Sequence, residues 1–238
     1  MISQTDVVVQ GIRNLIVEGK LRPGDRLPVE KDLAEALGVS RNPLREGVRA
    51  LSVMGVLETR RGDGTYVTTL DSSLLLAPMG FVVDLHDRNG AHHLHAVRRI
   101  LETEAAGQAA RSIGPDELAE ADRILARIEA ELTKDAPDHE AIIDGDIAFH
   151  QVISKAAGNP VLAALIDALG GRTIRDRLWR SLSQHGADEA THAEHRAILA
   201  ALTAHDPDRA RTYMSAHLFA VEDYLHQRPP SEEVLPGS

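Results

Sequence analysis

Four side chains of the types that bind divalent metal ions lie on the apolar faces of three predicted helices. They are Asp146, His150, His195 and His217. Asp146 and His150 are four residues apart, which places them on the same face of a helix predicted over residues 138–157. A buried charge without a partner is costly, so such side chains must be satisfied inside the core. Two explanations are open: one shared divalent ion, or separate hydrogen bonds from each residue.

An arginine is predicted on the apolar side of another helix. Arg98 lies in the helix predicted over residues 91–112, in an arc that also holds Leu94 and Leu101. It can pair with Glu102, four residues later, or it can bind an incoming anion, because a guanidinium group matches a carboxylate well. The residues alone favour neither alternative.

The elements that position these side chains are all predicted to be helices. From residue 91 onward, apolar residues recur with the helical period. The predicted helices span 91–112, 115–133, 138–157, 160–182, 188–204 and 207–227. Pro115, Pro160 and Pro207 each suit a first helical position, which marks the start of three helices. Aromatic residues make up only 3% of the chain, so aliphatic side chains must fill the core of an all-α antiparallel helix bundle.

A second group of candidates lies near the N-terminus, on a helix predicted over residues 41–54. One arc of this helix carries Arg41, Asn42, Arg45 and Arg49, while apolar residues fill the neighbouring arc. The planar guanidinium group of arginine can bind guanine or phosphate, and asparagine can bind adenine. A solvated basic face on an ordinary amphipathic helix is the alternative explanation.

The residues around this helix predict a winged helix-turn-helix. The other predicted elements are a helix over 30–37, a turn at 38–40 and two strands over 56–60 and 65–69. Ser40 suits the N-cap of the second helix, and the turn between the strands contains Arg61 and Gly62. Such a fold places its second helix in the DNA major groove, with wing arginines near phosphate or the minor groove.

Composition divides the chain into two regions of different chemistry. We predict a winged helix-turn-helix domain over 1–70, a linker with a short helix over 71–90, an all-helical effector-binding domain over 91–228 and a disordered tail over 229–238. Residues 1–70 carry 10 Lys and Arg against 9 Asp and Glu, so the acidic excess behind the net charge of −10 lies after residue 70. The chain has no cysteine and no apolar run long enough to span a membrane, so we expect a cytoplasmic protein without a membrane partner.

Residues 4–69 resemble the DNA-binding domain of the GntR family of bacterial regulators. The matching segments are I-x-x-G-x-L-x-P-G-D-x-L-P from residue 16, L-A-x-x-L-G-V-S-R-N-P-L-R-E from residue 33 and R-R-G-x-G-T-Y-V from residue 60. The resemblance implies that Lys31, Arg41, Arg45 and the wing glycine Gly62 contact operator DNA. Lys31 replaces the arginine that is commoner there, so it lacks the bidentate fork. Because one winged helix contacts few base pairs, we expect a homodimer on double-stranded operator DNA.

Residues 91–227 resemble the all-helical effector domain, the FCD domain, of the FadR-type branch of that family. The matching segments are V-R-R-I-L-E-x-E-A-A from residue 97, D-x-x-F-H from 146, A-A-G-N-P from 156, E-H-R-A-I from 194 and M-x-x-H-L from 214. The resemblance implies a divalent metal ion bound by Asp146, His150, His195 and His217. Zinc is the expected ion, with nickel, manganese or iron as alternatives. It also implies that Arg98 lines a pocket for a small organic or sugar acid.

These features predict a ligand-responsive transcriptional regulator, acting as a repressor, that senses a small carboxylate effector through a metal-containing pocket. Two alternatives stay open: a regulator for which the metal itself is the signal, and a metal-dependent hydrolase. We expect no enzyme, because Glu194 is predicted to point about 100° away from His195 on its helix, which leaves no evident general base. The histidines expected to be solvated are His92, His93, His185, His192, His205 and His226.

Overall fold

The chain folds as two compact units, Met1–Val83 and Asp84–Ser238. The computed structural model describes residues 3–74, 91–170, 184 and 186–227. Most of the predicted linker, residues 171–182 of the predicted fourth bundle helix and the predicted tail lie outside these ranges. The predicted domain bounds stay predictions. No helix in the described ranges has the length and apolar character that a membrane crossing requires.

The first unit is a winged helix-turn-helix, as the sequence predicts. Its helices are α1, Gln4–Val17, α2, Glu30–Leu37, and α3, Arg41–Val53. Its strands are β1, Leu57–Arg60, and β2, Gly64–Val67, which pair antiparallel. The segment before α2 joins the wing, because Leu27 N donates to Thr65 O at 2.8 Å and Val67 N donates to Asp25 O at 2.9 Å. The wing is thereby fixed against the helices.

Two glycines determine how α3 follows α2 and how closely it packs on α1. Gly38 ends α2 in the left-handed region, with φ of 67°, so the chain turns sharply into α3. Gly47 lies on the face of α3 that packs on α1, where an added Cβ would lie 2.5 Å from Val8 Cγ1. Val8 and Ile12 of α1 and Leu44 of α3 are buried. The opposite side of α3 is left exposed to solvent.

The second unit is an all-α bundle, as predicted from the helical periodicity. Its helices are α4, Ala91–Ser112, α5, Pro115–Leu132, α6, His139–Ala156, α7, Pro160–Gly170, α8, Ala187–Thr203, and α9, Pro207–Gln227. Helix α4 packs along α9 and also contacts α6 and α7, while α8 packs between α5 and α9. This arrangement surrounds the interior with α4, α6, α8 and α9.

Small side chains and local caps fix where each helix lies. Ala105, Ala106, Ala109 and Ala110 are at most 1% exposed, so the neighbours of α4 approach its backbone closely. The Asp138 carboxylate accepts from the backbone nitrogens of the first turn of α6 at 3.1 and 3.2 Å. Such caps satisfy groups that have no partner within the helix. Because the Asp138 cap fixes the start of α6, it also fixes the positions of Asp146 and His150 along the helix.

Candidate metal centre and nucleic-acid interface

The four metal-ligand candidates converge in the interior of the helical unit. Asp146 and His150 come from α6, His195 from α8 and His217 from α9, and all four are buried. One ligand atom from each lies within 4.8 Å of the other three. The His195 Nε2 atom lies 3.3 Å from Asp146 Oδ1 and 3.3 Å from His217 Nε2, and His150 Nε2 lies 3.7 Å from Asp146 Oδ1. Three imidazole nitrogens and one carboxylate oxygen therefore face one small volume.

Two further carboxylates orient the imidazole rings. The Glu102 Oε2 atom contacts Nδ1 of His150, and the Glu194 Oε2 atom lies 2.8 Å from Nδ1 of His217. A neutral imidazole that donates its Nδ1 hydrogen to a carboxylate keeps its lone pair on Nε2. The contact of His217 with Glu194 has hydrogen-bond geometry, so this ring can direct its Nε2 lone pair toward the shared centre.

Glu194 was considered only as a general base beside His195, and the structure shows that it contacts a different ligand candidate. It does lie on another side of α8 from His195, but the ring of His217 on α9 reaches it there. A helical wheel describes one helix and does not show which neighbour packs against each side. Glu102 was considered only as a partner of Arg98, and it also contacts His150 across the α4–α6 interface.

The spacing of the ligand atoms and the buried charges both fit a divalent ion. Two ligands bound at about 2.0–2.1 Å to a tetrahedral zinc ion lie roughly 3.3–3.4 Å apart, and both distances from His195 Nε2 match this value. Two nitrogen lone pairs at that separation repel unless a proton or a cation lies between them. The Asp146 carboxylate is buried beside these nitrogens, and a cation at the shared centre would offset its negative charge.

Arg98 is buried, bound to a carboxylate and adjacent to a cavity. Its Nε and Nη2 atoms each lie 2.7 Å from Glu102 Oε1, so the pairing alternative is found. Arg98 also lines a cavity whose other polar groups come from Asp146, His217, Asp188 and Thr191. Arg98 therefore both pairs with Glu102 and borders the cavity.

The remaining histidines differ in their exposure. His93 and His205 are exposed, as expected, although His205 Nδ1 lies 2.9 Å from Ala110 O. His192 is half-buried, which corrects the expectation that it is solvated, and burial lowers its pKa. The sequence analysis missed His95, which is 1% exposed, and His139, whose Nδ1 lies 3.0 Å from Asp188 Oδ2. The side chains of the other three histidines that were expected to be solvated lie outside the described part of the chain.

In the first unit, every predicted DNA-contacting residue is exposed. These residues are Lys31, Ser40, Arg41, Asn42, Arg45, Arg49, Arg61 and Gly62. Arg45 and Arg49 line a groove that α3 forms with the wing residues Thr59 and Thr65. Ser40 occupies the N-cap position of α3, but its hydroxyl makes no capping hydrogen bond. The surface combines guanidinium groups of α3 with the exposed wing turn, where Gly62 adopts a φ of 78°.

Arg45 is held by a carboxylate from α2. Its Nε atom lies 3.0 Å from Glu30 Oε1, and its Nη2 atom lies 2.9 Å from Glu30 Oε2. The hydrogen bonds of this pair lower the pKa of Glu30 and raise the pKa of Arg45. Both side chains are exposed, so water competes for the same donors and acceptors. The fork of Arg45 is thus oriented outward from α3 by a partner that another anion can replace.

Comparison with known protein families identifies the chain. The family described as bacterial regulatory proteins, gntR family, matches residues 4–67, and the FCD domain matches residues 93–220. This chain belongs to the gntR family of bacterial regulatory proteins. The two matches fall on the winged helix-turn-helix and on the helical unit that holds the buried histidines.

Relatives of known role agree with this assignment. The chain is 32% identical over 218 residues to the Uxu operon transcriptional regulator of Escherichia coli, covering 90% of this chain and 83% of that protein. It is 29% identical over 221 residues to the galactonate operon transcriptional repressor of Escherichia coli, covering 88% and 91%. The solved structure of Streptococcus agalactiae GntR matches with a TM-score of 0.70 at 26% identity, over 92% of this chain and 99% of that chain.

The protein is a ligand-responsive, DNA-binding transcriptional regulator. Its family consists of regulators and not enzymes. This confirms the prediction that the protein is a regulator and not an enzyme, and it removes the hydrolase alternative. The predicted fold class, a winged helix-turn-helix followed by an all-α domain, is also confirmed.

Proposed function

We propose that this regulator binds a divalent metal ion at the buried cluster and a small organic or sugar acid beside it. The proposed ligands of the ion are Asp146, His150, His195 and His217. The observation that carries the proposal is the convergence of four buried ligand atoms next to a cavity. The buried Arg98 lines this cavity together with Asp146 and His217. Zinc is the expected ion, with nickel, manganese or iron as alternatives. A bound ion supplies positive charge to which oxygen atoms of the acid are attracted.

The cavity supports a hydroxylated carboxylate as the effector. Arg98 lines this cavity, and its guanidinium group matches the carboxylate group of the acid. Asp188 and Thr191 line the same cavity and offer hydrogen bonds to hydroxyl groups, while Ile142 and Val221 offer apolar contact to the carbon chain. The similarity to a repressor of a galactonate operon supports a sugar acid as one member of this class. We propose that such an acid releases the protein, as a repressor, from DNA.

On the DNA side, we propose that the exposed edge of α3 and the wing bind the operator. Arg41, Asn42, Arg45 and Arg49 are placed to contact base edges, because they lie on the exposed side of α3. The other proposed contacts are with phosphate or sugar oxygens, and they come from Lys31, Ser40, Arg61 and Gly62. Loss of DNA selectivity on substitution of the α3 arginines tests this assignment.

We further propose that the protein acts as a homodimer. Two copies are needed to bind both halves of a pseudo-palindromic operator. The packed helices α4 and α9 expose Val97, Ile100 and Phe219, which are 44%, 65% and 48% exposed. Exposed apolar groups on neighbouring helices are typical of a surface that a partner covers. The cytoplasmic location stays a prediction.

One experiment tests the metal and the acid together. The full chain is purified without chelator, its metal content is measured by elemental analysis, and its binding to DNA selected from a random pool is then titrated. Each small carboxylate is added to the metal-loaded and to the metal-free protein. We expect about one ion per chain and release of DNA by an acid only when the metal is present. Absence of bound metal would contradict the proposal.

The same titration tests the second candidate function, in which the metal ion itself is the signal to which the regulator responds. The orientation of two imidazole rings by Glu102 and Glu194 favours tight binding of an ion even without an acid. If metal alone changes DNA affinity and no carboxylate adds to the effect, the regulator responds to metal. If metal alone leaves DNA affinity unchanged, the ion serves the acid-binding site.

A further inference from the structure

A chain of buried contacts joins Arg98 to the metal-ligand candidate His150 through one carboxylate. The Glu102 Oε1 atom accepts hydrogen bonds from Arg98, while Oε2 contacts Nδ1 of His150. Arg98, Glu102 and His150 are 1%, 2% and 5% exposed. The two oxygens of Glu102 are thus divided between the acid-binding side and the metal-binding side of the pocket.

Burial makes this divided carboxylate sensitive to both sides. Water does not compete for its oxygens, so a change in the strength of one hydrogen bond changes the charge available to the other. Glu194 contacts His217 in a comparable way, but it lies on α8 and its side chain is 32% exposed. Glu102 therefore combines two properties, burial and contact with both Arg98 and a ligand candidate.

We propose that Glu102 is a positioning residue that energetically couples the metal-binding and acid-binding sides of the pocket. The inference rests on the metal centre proposed above. The contact between His150 Nδ1 and Glu102 would strengthen if Nε2 of the same ring held a cation, because the ring would then be polarised. Glu102 then holds Arg98 less strongly, so the guanidinium group binds an incoming carboxylate more tightly. Because coupling is reciprocal, a carboxylate on Arg98 raises the affinity for the metal by the same factor.

The first test measures zinc affinity of the full chain by competition with a chromophoric chelator. Glu102→Gln keeps the size of the side chain, but its amide nitrogen must face a donor on Arg98 or on His150. We expect zinc to bind about 10–100-fold more weakly, the usual effect of losing a group that orients a metal ligand. Glu104→Gln is the matched control, because Glu104 lies on the same helix, is exposed and bonds to Arg211. Its zinc affinity should stay within about twofold of wild type.

The second test measures the coupling itself with a double-mutant cycle. Zinc affinity is compared for wild type, Arg98→Gln, Glu102→Gln and the double variant. Arg98 is not a proposed ligand, so the part of its effect on zinc that passes through Glu102 appears as non-additivity in this cycle. We expect the effect of the double variant to differ from the product of the two single effects by about threefold or more. Effects that simply multiply would overturn the coupling.

The outcomes separate this inference from the function on which it rests. If the wild-type chain binds no zinc, nickel, manganese or iron, the proposed metal centre fails. If the wild type binds zinc and Glu102→Gln binds it equally well, only the role of Glu102 fails. Circular dichroism checks that each variant is folded. If Glu102→Gln does not fold, Glu102→Asp is measured in its place, because the shorter side chain withdraws from His150. An unchanged zinc affinity in Glu102→Asp would also overturn the inference.

Discussion

Removal of the bound metal should lower the thermal stability of the helical unit and leave the winged unit unaffected. All four proposed ligands lie in the unit Asp84–Ser238, between α6, α8 and α9. Without the ion, the Asp146 carboxylate and three imidazole nitrogens face one another in the interior without the cation that they would share. A ligand that binds only the folded state at about 100 times its Kd stabilises that state by about 2.7 kcal/mol. For a unit of this size, each kcal/mol shifts the melting temperature by about 2–4 °C.

We therefore expect a decrease of roughly 5–10 °C when a chelator is added, and recovery when excess zinc is restored. Differential scanning calorimetry is the suitable assay, because it can record separate transitions for the two units. His217→Ala should lower the stability and also abolish the response to zinc. His93→Gln, which changes an exposed histidine of α4, should keep the full response. Identical melting curves with chelator and with zinc, or a zinc response that survives in His217→Ala, would refute the reasoning.

Three other perturbations test the DNA surface, the dimer and a buried histidine. Arg45→Ala should reduce the preference for selected over random DNA roughly tenfold or more, measured by fluorescence anisotropy, and an unchanged preference would contradict its role. Ile100→Glu should convert the dimer to monomer in analytical ultracentrifugation, because it places a charge on the proposed apolar interface. Burial lowers the pKa of His192 below its usual 6.5, so the unfolded chain binds this proton more readily. Stability is therefore lost as the pH falls below about 6.5, and His192→Gln should reduce that loss in metal-free protein.

The sequence predicted best those features that depend on spacing within one helix. Asp146 and His150 share a face because they are four residues apart, and the α3 arginines share an arc for the same reason. The convergence of these residues with His195 and His217 depends on how three helices pack, and the resemblance to a known family supplied that information. Periodicity alone favoured separate hydrogen bonds for any single histidine and left a shared ion as the alternative.

The features that were missed depend on contacts between helices. Glu194 meets His217 across the α8–α9 interface, and Glu102 meets His150 across the α4–α6 interface. A wheel drawn for α8 or α4 alone cannot show either contact. One signal was present in the sequence: His95, Arg98 and Glu102 recur at i, i+3 and i+7, the spacing of a single helix face. A face with three polar residues that the bundle buries is an indication of a functional interior.

The proposed DNA-binding surface and the proposed acid-binding pocket each contain an arginine that forms an ion pair with a glutamate. The two pairs differ in burial and therefore in how readily another anion can displace the glutamate. The Arg45–Glu30 pair is exposed, so DNA can replace Glu30 at little cost, and salt weakens the resulting contact with DNA. The Arg98–Glu102 pair is buried, so separating it would leave a charge without a partner in the interior. An acid must therefore bind Arg98 without displacing Glu102, and the added negative charge requires compensation at the metal-ligand cluster. It follows that affinity for DNA should depend steeply on salt, whereas affinity for the acid should depend mainly on the metal.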